Sequence, residues 1–230
     1  MIKAAIILAG GKGERLRPLT DDRPKVMIEL AGKPIILWQI EWLKSFGIQK
    51  FVIASGYKHE VIEEFLGDGS KFNVEIFYSV EDEPLGTGGA TKKAFQHEAL
   101  KEIEDLVVTN GDIITQFDIS KMIAIHEKSK PLVTLLLTPY FSRWGIAELD
   151  ETDHILGFRE KPKLPYFING GIFVYNRKIE NYLPEVGNYE TETYPKIPSE
   201  EFQGFKDESF WRAVDMIKDK TEAEEYLRAF

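Results

Sequence analysis

The stretch that decides the fold lies near the N-terminus, where residues 4–25 read AAIILAGGKGERLRPLTDDRPK. The apolar run Ala4–Leu8 predicts a buried strand, and glycines follow it almost at once. Glycine directly after a strand lets backbone N–H groups approach a phosphate closely, and Lys12, Arg15 and Lys25 supply positive charge to hold it. The stretch therefore predicts a polyphosphate-binding loop at the end of the first strand of a sheet.

Two common phosphate-binding loops do not match this stretch. The dinucleotide-binding pattern needs a third glycine and an uninterrupted helix, whereas Leu16 stands in the third glycine's place and Pro18 interrupts any early helix. The P-loop pattern needs Gly-Lys followed by Ser or Thr, and the sequence has no such triplet. A plain glycine-rich turn with solvated basic residues stays open as the non-functional alternative.

The rest of the chain alternates short apolar runs with amphipathic segments, which predicts an α/β protein with a parallel sheet and helices on both faces. After Pro139 the alternation loosens and the apolar runs lie closer together. Thr221 is the predicted N-cap of a terminal helix, with Glu224 completing a capping box. The predicted strands are 4–8, 51–54, 74–78, 106–109, 132–138, 145–149, 155–159 and 171–175, and the predicted helices are 35–46, 59–66, 89–97, 119–129 and 221–230.

Composition and charge narrow the class of protein. The 230 residues carry 29 Lys and Arg against 38 Asp and Glu, a formal net charge of −9, which argues against nucleic acid or an anionic membrane as the partner. The sequence contains no cysteine, so disulfides, thiolate zinc sites and a cysteine nucleophile are excluded. No apolar stretch approaches the ~18 residues of a membrane span. We expect a cytoplasmic protein folded as one domain over residues 1–230, without a repetitive β-helix domain at its C-terminus.

The segment 9–20, AGGKGERLRPLT, followed by Pro24-Lys25, resembles the signature of the sugar-1-phosphate nucleotidyltransferases, G-G-x-G-T-R-L-x-P-x-T and P-K-P. The resemblance implies a Rossmann-like three-layer α/β/α sandwich with a mostly parallel mixed sheet, the nucleotide-diphospho-sugar transferase fold. In that family the glycine loop wraps the nucleoside triphosphate, the arginine grips its phosphates and the lysine contacts the reacting phosphates. Arg15 and Lys25 are the matching positions and are the implied catalytic residues, together with Asp112.

The resemblance continues in residues 83–90, EPLGTGGA, which match the P-L-G-T-A/G-G segment of the guanylyltransferase-like branches. In those branches the segment lines the base and ribose pocket. The first motif departs from the family at two positions, where Glu14 replaces the usual threonine and Val26 the second proline. The implied nucleotide-binding residues are Leu8, Ala9, Gly10, Gly11, Gly13, Glu14, Glu81, Pro84, Leu85, Gly86, Thr87, Gly88 and Gly111.

Two aspartates are candidates for a Mg²⁺ site. Asp112 follows the predicted strand 106–109 at its carboxyl end, which is the edge where α/β sheets bind ligands. The family has a Gly-Asp pair here whose aspartate is a metal ligand, so the resemblance gives that role to Asp112. Residues 210–215, FWRAVD, resemble the family's W-x-D segment and imply Asp215 as the second ligand. Because this match is stretched, Asp219 and Asp207 stay open as alternatives.

A second set of motifs resembles the family's sugar-phosphate pocket. Glu160 and Lys161 match its E-K-P element, in which Glu recognises sugar hydroxyls and Lys recognises the phosphate. Gly145 resembles a glycine whose backbone faces the sugar, and Asn169 and Gly170 match a sugar-lining turn. These five residues are the implied sugar-phosphate-binding set.

The resemblance implies the reaction of a nucleoside triphosphate with a sugar 1-phosphate to give a nucleoside diphosphate sugar and pyrophosphate. The sugar phosphate oxygen would attack the α-phosphorus in line, with Mg²⁺ as cofactor and no side-chain nucleophile. GTP and a mannose- or heptose-type sugar are favoured, while thymidylyl-, uridylyl- or cytidylyl transfer to glucose- or amino-sugar 1-phosphates stays open. The alternative to an enzyme is a non-catalytic regulator that binds nucleotide sugars. The family resemblance also leaves a homo-oligomer open.

Overall fold

The computed structural model describes residues 2–229 and follows the predicted alternation closely. The strands are β1 (Ala4–Ala9), β2 (Glu29–Leu30), β3 (Lys33–Pro34), β4 (Lys50–Ser55), β5 (Glu75–Val80), β6 (Asp105–Asn110), β7 (Ile113–Thr115), β8 (Val133–Phe141), β9 (Ile146–Leu149), β10 (Ile155–Arg159), β11 (Lys163–Asn176), β12 (Phe202–Lys206) and β13 (Trp211–Ala213). The helices are α1 (Ile35–Ser45), α2 (His59–Leu66), α3 (Gly86–Phe95), α4 (Ile119–Ser129), α5 (Tyr189–Glu192) and α6 (Ile217–Arg228).

The central sheet has the strand order β12-β8-β11-β6-β1-β4-β5. Neighbouring strands are parallel from β6 through β1 and β4 to β5, and also between β12 and β8. Strand β11 runs antiparallel to both of its neighbours, β8 and β6. The predicted mostly parallel mixed sheet is therefore confirmed.

Two apolar layers enclose this sheet. On one face Ile40 of α1, Leu66 of α2 and Met122 of α4 pack with sheet residues such as Phe51, which is fully buried. On the other face Ala94 and Phe95 of α3 pack with residues from β6, β8 and β11. Helices on both faces of one sheet make the three-layer α/β/α sandwich that the sequence predicts.

The parallel register brings the carboxyl ends of β1, β4 and β6 to one edge. Ile7 of β1 lies opposite Ile53 of β4 and Thr109 of β6. Just beyond the strands, the N–H of Gly111 donates to the carbonyl of Leu8 at 2.8 Å. The glycine-rich loop after β1 and the Gly111-Asp112 turn after β6 therefore meet at this edge, where open α/β sheets bind ligands.

The structure differs from the sequence expectations mostly in the second half of the chain. Strand β11 begins at Lys163, eight residues before the predicted start at residue 171. The first half of the strand escaped prediction because it is largely exposed, lacks apolar alternation and contains Pro165. Strands β12 and β13 were not predicted, since one is partly exposed at the sheet edge and the other has only 3 residues.

The C-terminal helix α6 begins at Ile217, so the prediction of Thr221 as its N-cap is wrong. Thr221 lies inside the helix, where its hydroxyl donates to the carbonyl of Ile217 at 3.2 Å. Asp219 instead accepts the N–H of Met216 at 2.9 Å. Because the first turn of α6 is mostly polar, apolar periodicity does not reveal where the helix begins. Phe230, the last residue of the predicted helix, lies outside the described residues.

No helix among residues 2–229 combines the length and apolar character needed to cross a membrane.

Replacing the core residue Phe51 with Ala tests the packing of the sheet. Because Phe51 is 0% exposed, the Phe51→Ala variant is expected to lose about 3–5 kcal/mol of unfolding free energy in urea denaturation. Ile155 is 66% exposed, so Ile155→Ala is the control and is expected to stay within about 0.5 kcal/mol of the parent. Equal losses in the two variants would contradict this description of the core.

Candidate active site

The glycine-rich loop is shaped by a left-handed glycine and an apolar anchor. Gly13 has φ 66°, a conformation that glycine adopts readily, and its carbonyl accepts the hydroxyl of Thr20 at 2.9 Å. Leu16 is fully buried in a cluster with Ile28, Leu30 and other apolar side chains. The leucine in the place of a third glycine therefore fixes the loop to the body of the protein, with Arg15 beside it.

Lys25 is the centre of the site. Its Nζ donates to Oδ2 of Asp112 at 2.5 Å and to Oδ1 of Asp215 at 2.6 Å. Arg15 adds a second cation, with its guanidinium 2.8 Å from Oδ1 of Asp215. All three residues predicted as catalytic, and both predicted metal ligands, therefore belong to one ion-pair network.

Asp215 reaches this network through backbone pairing. Strand β13 runs antiparallel to β7, and beyond that short ladder the N–H of Val214 donates to the carbonyl of Asp112 at 2.9 Å. Val214 is itself fully buried, which fixes this crossing. The residue that follows, Asp215, is held beside Asp112 as a result.

The other two acidic candidates lie elsewhere. Asp219 is occupied by the first turn of α6, where its carboxylate accepts the N–H groups of Asp215 and Met216. Asp207 accepts the N–H of Ser209 at 2.8 Å in the turn after β12. Of the three C-terminal aspartates, the structure brings Asp215 to Lys25 and Asp112.

The ion pairs shift two pKa values in opposite directions. Burial alone would lower the pKa of Lys25, but Asp112 and Asp215 outweigh it and leave that pKa above its ordinary value. Burial alone would raise the pKa of Asp215, but Lys25 and Arg15 outweigh it and leave that pKa below its ordinary value. Lys25 is therefore a cation and Asp215 an anion at neutral pH.

Two adjoining cavities, of about 760 and 340 Å³, open beside this network. Lys25, Gly10, Gly11 and Glu81 line both of them, so the two cavities share one wall. Pro84 also lines both. The larger cavity is further lined by Gly13, Glu14, Arg15 and Asp215, and the smaller by Leu8, Ala9, Gly86, Thr87, Gly111 and Asp112. Most residues of the predicted nucleotide set thus face a common space.

Glu81 links the two glycine-rich segments. Its carboxylate accepts the N–H of Leu85 at 3.0 Å, and a side chain on Gly10 would collide with that same carboxylate. The absence of a side chain at Gly10 leaves room for the Glu81 carboxylate beside the first loop. Leu85 and Gly88 are not among the residues that line the two cavities.

Helix α3 begins at Gly86, three residues before the predicted start, because a distant segment caps it. The carbonyl of Gly187 accepts the N–H of Gly88 at 2.9 Å, and Oδ1 of Asn188 accepts the N–H of Thr87 at 3.2 Å. Residues 184–190, which we call the α3 clamp, supply these groups. The α3 clamp and its cavity-lining Asn188 were not predicted from the sequence, because residues 184–188 are irregular and carry no periodic signal.

The predicted sugar-phosphate residues lie along β11 and the loops before it. A side chain on Gly145 would lie 2.9 Å from Oε2 of Glu160, so that glycine and Glu160 are neighbours. Lys161 is exposed and has φ 44°, a left-handed conformation that costs a non-glycine residue energy and is found often at functional sites. Asn169 accepts the N–H of Gly171 at 2.8 Å, and the carbonyl of Gly170 accepts the indole N–H of Trp211 at 2.8 Å.

The carboxylates of Asp112 and Asp215 beside Lys25 are suitable ligands for a divalent metal ion. Among residues 2–229 no group of three or more His, Asp or Glu side chains is placed to hold a metal on its own. Asp112 and Asp215 nevertheless direct one carboxylate oxygen each at a single cation, the Lys25 ammonium. Mg²⁺ prefers such hard oxygen ligands and is usually bound by one or two carboxylates together with substrate phosphates.

Comparison with known proteins identifies the family. A family model described as nucleotidyl transferase matches residues 4–211. A D-glycero-alpha-D-manno-heptose 1-phosphate guanylyltransferase from Aneurinibacillus thermoaerophilus is 34% identical, over 98% of this chain and 99% of that protein. The chain belongs to the sugar-1-phosphate nucleotidyltransferase family.

Two further similarities support this nucleotidyltransferase assignment. A mannose-1-phosphate guanylyltransferase from Mycobacterium tuberculosis is 32% identical over 94% of this chain and 62% of its own length. The crystal structure of HddC from Yersinia pseudotuberculosis complexed with GMP-PN has a TM-score of 0.79 at 26% identity, covering 98% of this chain and 100% of that one. The expected nucleotidyltransferase fold is therefore confirmed.

A matched pair of glycine substitutions tests the loop geometry. In Gly13→Ala the new Cβ would lie 2.9 Å from Cβ of Lys25 at a left-handed φ, so we expect a loss of about 1–3 kcal/mol of unfolding free energy. Gly11 has no atom within 4 Å of such a Cβ, so Gly11→Ala is expected to change stability by less than about 0.5 kcal/mol. Urea denaturation measures both, and a Gly13→Ala variant as stable as Gly11→Ala would refute the described loop.

Proposed function

We propose that this chain transfers a guanylyl group from GTP to a mannose- or heptose-type sugar 1-phosphate, releasing pyrophosphate. The observation that carries the proposal is the Lys25 network, which sets two cations and two carboxylates against the cavities that the glycine-rich loop lines. The choice of GTP and of the sugar is supported by the relatives named as heptose- and mannose-1-phosphate guanylyltransferases.

In this reaction the sugar phosphate oxygen attacks the α-phosphorus, and the bond from that phosphorus to the β-phosphate oxygen breaks. Both reactants are anions, so the protein has to align them and offset their charge. Lys25 stays protonated because two carboxylates raise its pKa, and we assign it to the reacting phosphates. Arg15 is 65% exposed at the cavity wall, and we assign it to the pyrophosphate leaving group.

We assign Asp112 and Asp215 to a Mg²⁺ ion. When bound, Mg²⁺ would polarise phosphoryl oxygens and offset the negative charge that develops on them. The chain's own contribution is the fixed spacing of the two carboxylates, which the Val214 backbone bond to Asp112 maintains. No side chain is needed as a nucleophile, because the sugar phosphate itself attacks.

The nucleoside and sugar ends of the site are assigned to opposite sides of β6. The nucleoside is assigned to the side of β1 and β5, where the cavity-lining residues of the glycine-rich loop and of α3 lie. The sugar 1-phosphate is assigned to the side of β11, where Glu160 would bind sugar hydroxyls and Lys161 the phosphate. The nucleoside triphosphate substrate and the cysteine-free sequence favour a cytoplasmic reaction.

A substrate grid tests the proposed reaction. Pyrophosphate release would be measured with Mg²⁺ for GTP, dTTP, UTP, CTP and ATP against mannose-, heptose-, glucose- and N-acetylglucosamine-type 1-phosphates. We expect the strongest turnover with GTP and a mannose- or heptose-type sugar. Strongest turnover with dTTP, UTP or CTP would overturn the choice of nucleotide, and nucleotide binding without turnover in any pair would favour a non-catalytic binding protein.

Replacing Lys161 with Ala tests the sugar-phosphate assignment. Loss of a charge-assisted contact to the phosphate is expected to raise KM for the sugar 1-phosphate about 10–100-fold, with KM for the nucleotide little changed. Lys163→Ala is the matched control, because Lys163 is a nearby exposed lysine that pairs with Glu208 at 2.6 Å, whereas Lys161 lies 3.4 Å from Glu160 of the predicted sugar-phosphate set. Steady-state kinetics with both substrates measure the effect, and equal KM values in the two variants would remove Lys161 from the site.

A further inference from the structure

Asn110 is a polar side chain at the centre of the site to which no role has yet been given. It is the last residue of β6, directly before Gly111-Asp112, and it lines the smaller cavity. Its carbonyl accepts the side-chain amide of Gln39 at 2.7 Å, and Asn110 pairs with Leu8 of β1 in the sheet. The backbone of Asn110 is therefore fixed without any help from its own side chain.

A single buried hydroxyl sets the orientation of that side chain. Tyr189 in the α3 clamp donates its O–H to Oδ1 of Asn110 at 2.7 Å. Tyr189 is 0% exposed, and burial raises its pKa well above the ordinary value, so the hydroxyl keeps its proton. With Oδ1 taken by the tyrosine, the amide nitrogen of Asn110 is turned the other way.

The amide nitrogen of Asn110 faces the sugar side of the sheet. A side chain on Gly171 would lie 2.8 Å from Nδ2 of Asn110, so the amide lies against β11 directly after Asn169 and Gly170. In the sheet, β6 separates β11 from β1. Asn110 therefore stands at the boundary between the nucleotide loop and the turn assigned to the sugar, with a hydrogen-bond donor directed toward the sugar side.

We propose that the amide N–H of Asn110 donates to an oxygen of the sugar 1-phosphate, and that Tyr189 is the positioning residue that fixes this amide. The inference rests on the proposed function, because it assumes a sugar 1-phosphate on the β11 side. In this proposal the α3 clamp has two roles, one at each substrate. The same segment that caps the N-terminus of α3 sets a contact to the other substrate.

The Tyr189→Phe variant removes the hydroxyl and keeps the packed ring. We expect KM for the sugar 1-phosphate to rise roughly tenfold, the lower end of effects seen when an orienting partner is lost, with KM for the nucleotide unchanged within about twofold. Tyr175→Phe is the matched control. Tyr175 is equally buried at 0% exposure and shares a hydroxyl hydrogen bond of 2.8 Å, but with Tyr194 rather than with Asn110.

A second variant tests the donor directly and is independent of the tyrosine. Asn110→Asp keeps an oxygen that can accept from Tyr189 but replaces the N–H donor with an anionic oxygen, so KM for the anionic sugar phosphate is expected to rise further than in Tyr189→Phe. Thermal melting of each variant reports whether the fold is kept. If the tyrosine hydroxyls served stability alone, Tyr175→Phe and Tyr189→Phe would behave alike. Neither variant would then raise KM for the sugar 1-phosphate while leaving KM for the nucleotide unchanged.

The proposal is overturned if Tyr189→Phe and Tyr175→Phe have the same kinetics, if both KM values rise together, or if Asn110→Asp leaves KM for the sugar phosphate unchanged. Wild-type protein that turns over no substrate pair would overturn the proposed function and this inference together. Wild-type turnover with unshifted variants would overturn this inference alone.

Discussion

The pairing of β13 with β7 is the constraint on which the site depends. Through it the N–H of Val214 reaches the carbonyl of Asp112, and Asp215 arrives beside Asp112 with its carboxylate on the ammonium of Lys25. Two carboxylates held this close would repel each other without a cation between them, and partly buried charges are costly unless they are paired. The short strand and the lysine are thus mutually necessary, because one brings the carboxylates together and the other offsets their repulsion.

The nucleotide side of the site likewise depends on a segment far away in the sequence, the α3 clamp. Helix α3 starts where it does because Gly187 and Asn188 accept the N–H groups of its first turn, which would otherwise be unpaired. The segment that supplies these groups also carries Tyr189, whose hydroxyl donates to the side chain of Asn110, two residues before Asp112. Loops from both halves of the chain therefore shape one edge of the sheet, and the motifs of the first half do not form the site alone.

The local parts of this architecture were predictable from the sequence, whereas the long-range parts were not. Helices α2 and α4 have the bounds that apolar periodicity predicts, and β1 extends one residue beyond its predicted end, because buried regular elements have strong periods. The family resemblance grouped Arg15, Lys25, Asp112 and Asp215, and the structure brings these four together. The start of α6 was mistaken because its first turn is mostly polar. Asn188 and Tyr189 were missed because they reach the site only through contacts between segments far apart in the chain.

The dependence of the site on its paired carboxylates is tested by asking whether Asp112 and Asp215 act as one unit. Asp112→Asn, Asp215→Asn and the double variant would be compared by pyrophosphate release over a range of Mg²⁺ concentrations, with Asp207→Asn as the control. We predict that each single variant loses about 100-fold or more in kcat, that the double variant loses little beyond the worse single one, and that the control is unaffected. Independent losses that multiply in the double variant, or near-normal Mg²⁺-dependent turnover in Asp215→Asn, would show that the two carboxylates do not form one metal site.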